Sequence, residues 1–240
     1  MIDLHCHVLP GLDDGPSDIR HSVEMVAQAD GDGVHTICAT PHIRHDHDVR
    51  IEELPDRIAA LNDAVREAGG RARVLPGGEV AETIVEHLSD PELAAVSLGG
   101  GGRWILLEPR PGPLSDSLDH AVVTLRQRGF RSLIAHPERH LVADLFERLA
   151  RLVGEGALVQ ATAATMSDPP ADRGMRMLAE AGLIHVLASD SHHPRLGREA
   201  TLSHGFAVLE GVPLLADHLD WIVRAAPTGI IAGDDLTSPF

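Results

Sequence analysis

Histidine and carboxylate side chains gather at the end of the first apolar run of this chain. The run Ile2–Cys6 is typical of a buried strand, and His5 and His7 lie two residues apart at its end. Side chains two apart in a strand point to the same face, so the two imidazoles are aimed together. Asp13 and Asp14 follow after a Pro-Gly turn. Nitrogen and carboxylate groups that converge in this way suit a divalent ion such as Zn, Mn, Fe or Co.

The same residue types recur at the ends of later apolar runs, so that six of the seven predicted strands end in a possible metal ligand. The candidate metal ligands are His5, His7, Asp14, His42, Glu79, Glu108, His136, Asp190 and His192. Because the carboxyl ends of parallel strands meet on one face of a β/α barrel, we expect these side chains to form a single metal centre.

Nine ligands are too many for one ion, and a carboxylate can bridge two ions. The sequence therefore predicts two or three divalent ions in each chain. Clustered divalent ions typically serve phosphate-ester hydrolysis, because they clamp the attacking and leaving oxygens of an in-line displacement. We expect a hydroxide that bridges two ions to be the nucleophile, since the ions lower the pKa of bound water.

Apolar runs alternate with helical patterns along the whole length. The predicted strands are Ile2–Cys6, Val34–Ala39, Ala72–Leu75, Trp104–Leu107, Ser132–Ala135, Ala157–Ala161 and Ile184–Ala188. The predicted helices are Asp18–Asp30, Ile51–Ala68, Ala81–Leu88, Ser115–Arg128, Leu141–Gly154, Asp172–Ala181, Arg198–Glu210 and Pro213–Ala225. Seven β/α alternations without a linker favour one α/β domain over residues 1–240, built as a parallel-stranded barrel. An open doubly wound sheet is the alternative, although no G-x-G-x-x-G follows the first strand.

Composition argues against several classes of protein. The formal net charge is −16, aromatic residues make up 2%, and lysine is absent. A nucleic-acid binder needs a basic surface and stacking aromatics, so nucleic acid is not an expected partner. No apolar run approaches the roughly 20 residues that span a bilayer, and the first residues do not resemble a signal segment. We expect a cytoplasmic protein without membrane insertion, which also fits Cys6 and Cys38 lying unpaired in predicted strands.

The order of these motifs resembles the polymerase-and-histidinol-phosphatase (PHP) superfamily. HCHVLPGLDDGP at residues 5–16, ATPH at 39–42 and HPER at 136–139 are similar, more narrowly, to the bacterial capsule-type (CpsB-like) tyrosine phosphatases. The resemblance implies a distorted seven-stranded (β/α)7 barrel of PHP type, with the active site at the C-terminal ends of the strands. It also implies dependence on manganese and a site for three ions.

The resemblance further implies how the ligands are shared among the ions. It assigns one ion to His5, His7, Glu79 and Asp190, a second to Glu79 as a bridge with Glu108 and His136, and a third to Asp14, His42 and His192. Arg139 matches the phosphate-binding arginine of the family, and its planar fork suits a phosphoryl dianion. Arg139, His136 and Asp14 are therefore the expected catalytic residues. A second arginine that contacts phosphate is Arg195 or Arg198, because the sequence after SDxH departs from the family pattern.

Two further patterns in the sequence compete with or adjoin this site. Cys38 and Arg44 satisfy C-x5-R, the phosphate loop of cysteine phosphatases. Pro41 removes an N–H group that such a loop needs, so we expect Cys38 to be a core residue rather than a nucleophile. His45 and His47 form a second HxH pair on a polar loop, and we expect them to be solvated rather than to line the substrate entrance.

The sequence and its resemblance together predict a manganese-dependent protein-tyrosine phosphatase. The substrates that the resemblance implies are phosphotyrosine proteins of exopolysaccharide or capsule regulation, such as the tails of bacterial tyrosine kinases. One alternative is a small-molecule phosphatase of the same superfamily that acts on a compound such as histidinol phosphate. The other alternative is a metal-binding regulator that has no turnover.

Overall fold

The computed structural model describes residues 1–140, 144–164 and 171–240. In chain order the strands are β1 (Ile2–Cys6), β2 (Thr36–Ala39), β3 (His42–Ile43), β4 (Arg73–Leu75), β5 (Glu79–Ala81), β6 (Trp104–Glu108), β7 (Arg131–Ile134), β8 (Leu158–Thr162) and β9 (Val186–Ala188). The α-helices are α1 (Ile19–Gly31), α2 (Leu54–Glu67), α3 (Asp90–Ala95), α4 (Asp116–Gln127), α5 (Leu145–Gly154), α6 (Ala171–Glu180), α7 (Ser203–Glu210) and α8 (Ala226–Ala232). The protein is an α/β fold in which these helices accompany parallel strands.

Every strand pairing is parallel within the described residues, in the orders β1-β2-β4 and β3-β5-β6-β7-β8-β9. The two strand sets meet where β1, an edge of the first, lies beside β9, an edge of the second. The backbone N–H of His7 donates to the carbonyl of Ser191 over 2.9 Å, and that of Asp190 donates to the carbonyl of His5 over 2.8 Å. This contact brings the carboxyl ends of β1 and β9, and the side chains that follow them, to one place.

Two short strands, β3 and β5, were not predicted, and each follows a break after a predicted strand. Pro41 separates β2 from β3, because proline has no N–H group to donate to a neighbouring strand. The segment Pro76-Gly77-Gly78 separates β4 from β5. A Cβ on Gly78 would lie only 2.8 Å from Cγ1 of Ile43, so glycine permits this close approach of the chain to β3. The short strands β3 and β5 begin with the candidate ligands His42 and Glu79.

Alternation along β6 shows how the sheet positions the site. Trp104 and Leu106 pack in a small apolar cluster shared by β1, β2, β6, β7, β8 and β9. Ile105 and Leu107 belong to the larger cluster that includes the helices. Glu108 follows Trp104 and Leu106 on the same face of β6, so its carboxylate lies at the end of the strand above the small cluster.

Several helix predictions need correction. The predicted helix Ala81–Leu88 is a 3-10 segment at Glu82–His87, and the prediction Arg198–Glu210 is helical only from Ser203 onward. The prediction Pro213–Ala225 is wrong as one α-helix: it holds a 3-10 turn at Ala216–His218 and a π-helical turn at Trp221–Ala225. The first three residues of the predicted helix Leu141–Gly154 lie outside the described residues.

Helix α3 was not predicted, although its start carries a recognisable signal. The Ser89 side chain accepts a hydrogen bond from the Glu92 backbone, and the Glu92 carboxylate accepts one from the Ser89 backbone. This capping box satisfies two backbone N–H groups at the helix start.

Among all described helices, none is both long enough and apolar enough to cross a membrane.

Candidate metal centre

Glu79 lies at the centre of the cluster and is almost fully buried, with 1% of its surface exposed. Its Oε1 atom lies 2.8 Å from Nε2 of His136 and 3.4 Å from Nε2 of His5. Its Oε2 atom lies 3.0 Å from Nδ1 of His42 and 3.2 Å from Nε2 of His7. One carboxylate thus meets four imidazoles: two from the end of β1, one from β3 and one from the segment after β7. This is the arrangement expected of a carboxylate that bridges neighbouring cations.

Asp190 forms the side of the cluster next to β1. Its Oδ1 atom lies 3.3 Å from Nε2 of His5 and 3.6 Å from Nε2 of His7. Asp190 and His136 have φ values of 49° and 32°, in the left-handed region that residues other than glycine seldom adopt. Such backbone conformations concentrate at functional sites, where the surrounding structure holds them. Here they turn two candidate ligands inward from the ends of β9 and β7.

The outer part of the cluster is open to solvent through Asp14, whose side chain is 61% exposed. Oδ1 of Asp14 lies 3.3 Å from Nε2 of His192 and 3.5 Å from Nε2 of His42. The ring of His192 stacks on that of His7, with centroids 3.8 Å apart. Burial, followed by the charges of His7 and Arg198, lowers the pKa of His192. The ring is therefore neutral, which is the form that binds a metal.

All nine predicted ligands lie in this cluster. Their grouping in space differs from the assignment to ions that the resemblance implies. The sets whose ligand atoms lie within 4.8 Å of one another, among the described residues, are His7/Asp14/His42/His192, His5/His136/Asp190, His5/His7/Glu79 and His42/Glu79/Glu108. Glu108 is thus grouped with His42, whereas the resemblance places it with His136. The assignment of each residue to an ion stays a prediction.

The residues present fit divalent ions. Nδ1 of His42 and Oε2 of Glu79 are buried and lie 3.0 Å apart, yet neither makes a hydrogen bond of regular geometry within the described part of the chain. Buried ligand atoms without a partner carry a free-energy penalty, which an ion can relieve. Nε2 of His5 and Nε2 of His7 lie 3.2 Å apart within the same buried cluster. The donor set of imidazole nitrogens and carboxylate oxygens suits Mn, Fe, Co or Zn.

Two residues that orient the HxH pair were not predicted as site residues. Nδ1 of His5 donates to Oε1 of Gln160 over 3.0 Å, and Nδ1 of His7 donates to Oδ2 of Asp13 over 2.8 Å. Each hydrogen bond fixes the ring with Nε2 directed to the centre of the cluster, as outer partners of metal-binding histidines do. Gln160 had a signal, since it is a polar residue within an apolar predicted strand. For Asp13 the signal was its position next to the predicted ligand Asp14.

Asp13 also changes the protonation of the site. Burial alone would lower the pKa of His7, but the hydrogen bond to Asp13 and the nearby carboxylate of Glu79 raise it to about 9. Burial would likewise raise the pKa of Glu79, but the imidazoles of His5, His136 and His42 hold it well below its usual range. Because a bound metal replaces the proton on such a ring, metal binding at His7 must release a proton near neutral pH.

The predicted arginines occupy different environments. Arg139 donates a hydrogen bond to the carboxylate of Asp190. Arg198 reaches the same residue, with Nε 2.8 Å from the Asp190 carbonyl oxygen and Nη2 3.1 Å from Oδ2. Arg195 is exposed and pairs with Glu24 on α1 over 2.7 Å. The structure therefore brings Arg139 and Arg198 to the cluster and leaves Arg195 outside it.

The C-x5-R motif does not form a phosphate loop. Cys38 is fully buried in the core, as predicted, and burial raises the pKa of its thiol to about 12. Arg44 binds both oxygens of Asp46, at 2.5 and 2.6 Å, and its Nη1 donates to Glu108 over 3.2 Å. With the thiol protonated and the guanidinium engaged, a thiolate mechanism has no support in this geometry.

We expect the folded protein to resist alkylation at Cys38. The thiol is buried and its raised pKa leaves almost no thiolate at pH 8, so iodoacetamide should not modify it. Mass spectrometry after treatment measures the modification, with urea-unfolded protein as the control in which both cysteines react. Rapid modification of folded protein with parallel loss of activity would contradict the assignment.

The second HxH pair divides between two environments. His45 is exposed, as expected. His47 is partly buried, and its ring stacks on that of His42 with centroids 5.1 Å apart and an angle of 20°. The expectation that both rings are simply solvated is therefore wrong for His47. The chain returns close to β3 after the loop, which the local sequence does not indicate.

Comparisons with known proteins place the chain among relatives of one family. The family model described as capsular polysaccharide synthesis, CpsB/CapC, matches residues 1–213. Tyrosine-protein phosphatase YwqE of Bacillus subtilis is 33% identical over 202 residues, which cover 80% of this chain and 78% of the relative. Tyrosine-protein phosphatase CpsB of Streptococcus pneumoniae is 25% identical over 205 residues, covering 80% and 83%.

Solved structures extend the comparison to the fold. A structure from a study of YwqE from B. subtilis and CpsB from S. pneumoniae, described as unique metal-dependent tyrosine phosphatases, matches with a TM-score of 0.81 and 27% identity. The match covers 98% of this chain and 95% of that chain. The phosphotriesterase homology protein from Escherichia coli matches with a TM-score of 0.64 at 13% identity, over 96% and 98% of the two chains. This second likeness concerns the fold alone.

Proposed function

The chain belongs to the CpsB/CapC family of capsular polysaccharide synthesis, and from this premise we propose that it is a metal-dependent protein-tyrosine phosphatase. The observation that carries the proposal is the contact of one buried carboxylate, Glu79, with four imidazoles, beside two guanidiniums that reach Asp190. The carboxylate and imidazoles can hold clustered cations, and the guanidiniums can hold a phosphoryl group. Together they support hydrolysis of a phosphoric monoester.

We assign two or three divalent ions to the nine ligands, with Mn²⁺ as the proposed ion and Fe, Co or Zn as alternatives. Such ions, when bound, act as Lewis acids on the phosphoryl oxygens and make water a stronger nucleophile at neutral pH. His136 and Asp14 take part as ligands. His5 and His7 would hold such ions through Nε2, because Gln160 and Asp13 engage their Nδ1 atoms.

We assign binding of the phosphoryl group to Arg139 and Arg198. A guanidinium offers paired N–H donors in a plane, which suits phosphoryl oxygens and offsets the charge that develops on them. Asp190 positions both side chains on one edge of the cluster. A tyrosinate leaving group, with a pKa of about 10, departs with less help from an acid than an alkoxide would need.

The barrel architecture, the cellular location and the substrates are also proposals. We propose that residues 1–240 form one PHP-type domain, a distorted seven-stranded barrel in which β2 with β3 and β4 with β5 are interrupted single strands. The hydrogen bonds between β1 and the segment after β9 support closure. We place the enzyme in the cytoplasm, with phosphotyrosine tails of kinases that control exopolysaccharide export as substrates.

Metal-stripped protein provides the direct test. Phosphate release from a phosphotyrosine peptide is measured after chelator treatment and again after Mn²⁺ is added, with histidinol phosphate as the rival substrate. We expect release from the peptide only with metal. Faster release from histidinol phosphate would favour the small-molecule phosphatase. Tight metal uptake with no release from either compound would favour the regulator.

Substitution of the two uncertain arginines should separate their roles. We expect Arg198→Ala to lower kcat/KM on a phosphotyrosine peptide on the order of 100-fold, because it removes a guanidinium that lies beside the cluster and offsets charge on the phosphoryl group. Arg195→Ala should change kcat/KM little, since that side chain pairs with Glu24 outside the cluster. Steady-state kinetics of both variants at saturating Mn²⁺ measure this. A larger loss for Arg195→Ala than for Arg198→Ala would reverse the assignment.

A further inference from the structure

A cavity of about 330 Å³ lies between the loop after β3 and the segment after β5. Five aliphatic side chains, three histidines and four charged side chains line it; the aliphatic ones are Ile43, Val49, Ile51, Ile84 and Leu88. Ile43 and Ile84 are buried, whereas Val49 and Leu88 remain partly exposed. The loops that follow parallel strands lie at the carboxyl ends of the strands, so the cavity and the metal centre open on the same face.

Two residues of the cavity wall also touch the metal centre. His47 lines the cavity and stacks on His42. Arg44 lines the cavity and donates to Glu108 over 3.2 Å. The cavity and the cluster therefore share a wall. A phosphotyrosine whose phosphoryl group lies at the cluster must carry its neighbouring residues across this surface.

We propose that this cavity is a subsite for an apolar side chain that neighbours the phosphotyrosine in the substrate protein. The inference rests on the proposed function and deepens it by naming a feature of the substrate. A volume of about 330 Å³ is at the lower end of ligand pockets, which combine apolar side chains with a few polar groups. The buried side chains of Ile43 and Ile84 form the apolar floor of this one. A single large aliphatic or aromatic side chain fits such a space.

The charged groups of the rim favour an uncharged occupant. The lining includes two guanidiniums and two carboxylates, from Arg44, Arg50, Glu52 and Glu92, together with the imidazoles of His45, His47 and His87. Arg44 is already paired with Asp46, and Arg50 with Glu53 over 3.1 Å. An acidic side chain of the substrate would have to displace these partners, whereas an apolar side chain gains contact with the aliphatic floor.

Phosphotyrosine peptides that carry leucine or alanine at each position near the phosphotyrosine provide the test. With Mn²⁺-loaded enzyme we expect leucine at one of these positions to raise kcat/KM about 10-fold over alanine. Val49→Asp should bring that ratio toward one. Val153→Asp, the same change at a partly buried valine on α5, should keep the ratio. Hydrolysis of a small aryl phosphate on the same samples reports the state of the metal centre.

The outcomes distinguish the subsite from the function on which it rests. Equal kcat/KM for leucine and alanine at every position, in wild-type enzyme that does hydrolyse the peptides, would overturn the subsite alone. The same result follows if Val49→Asp keeps the leucine preference. If aryl phosphate is hydrolysed but no phosphotyrosine peptide is, both the proposed function and the subsite fall. The wild-type peptide series decides the matter even if Val49→Asp does not fold.

Discussion

Glu79→Gln is expected to lower phosphate release by more than about 100-fold and to reduce the number of ions bound by each chain. Both carboxylate oxygens of Glu79 contact imidazoles. Glutamine keeps the shape but replaces one acceptor oxygen with an NH₂ donor and removes the charge. Loss of an outer partner of a metal ligand already reduces affinity or activity 10- to 100-fold, so loss of a central ligand should exceed that range.

Glu82→Gln is the matched control for this substitution. Glu82 is also buried and lies three residues further on, but its carboxylate faces Arg110, 3.6 Å away, and is not part of the cluster. Metal content after desalting and kcat/KM on a phosphotyrosine peptide are measured for both variants. Full metal content in Glu79→Gln, with activity within a few-fold of wild type, would refute the central role of Glu79.

The candidate ligands were predictable because they stand at or shortly after the ends of apolar runs that the sequence locates. The end of an apolar run in the sequence indicates where a strand ends, and parallel strands in a β/α fold end on one face. The sharing of ligands among ions was not predictable in the same way. It depends on the curl of the sheet and on the left-handed backbone at His136 and Asp190, which no local pattern specifies.

Interrupted strands and long-range contacts account for the other differences. β3 has two residues and β5 has three, too few for a hydrophobic period to be visible, and both follow breaks made by proline or glycine. Arg195 and Arg198 lie in one loop, and the sequence left the choice between them open. The contact that draws Arg195 away comes from Glu24, which is 171 residues distant in the chain.

Asp13→Asn is expected to weaken metal binding 10- to 100-fold, the range found when an outer partner of a metal-binding histidine is lost. Burial would raise the pKa of Asp13, but His7 and the backbone N–H groups of Gly15 and His42 hold it well below its usual range. The carboxylate is thus ionised at every pH near neutrality. Asparagine removes that charge, so the imidazole of His7 becomes a weaker ligand and its ring is less firmly oriented.

The form of the loss separates an orienting role from direct participation. If Asp13 acts only through His7, then kcat at saturating Mn²⁺ should recover most of the wild-type value while the Mn²⁺ dissociation constant stays raised. Calorimetric titration of the stripped protein measures that constant apart from turnover. Asp18→Asn is the control, because Asp18 caps α1 nearby and asparagine is an equally good cap. A kcat that stays low in Asp13→Asn under saturating metal would mean that Asp13 serves the reaction itself.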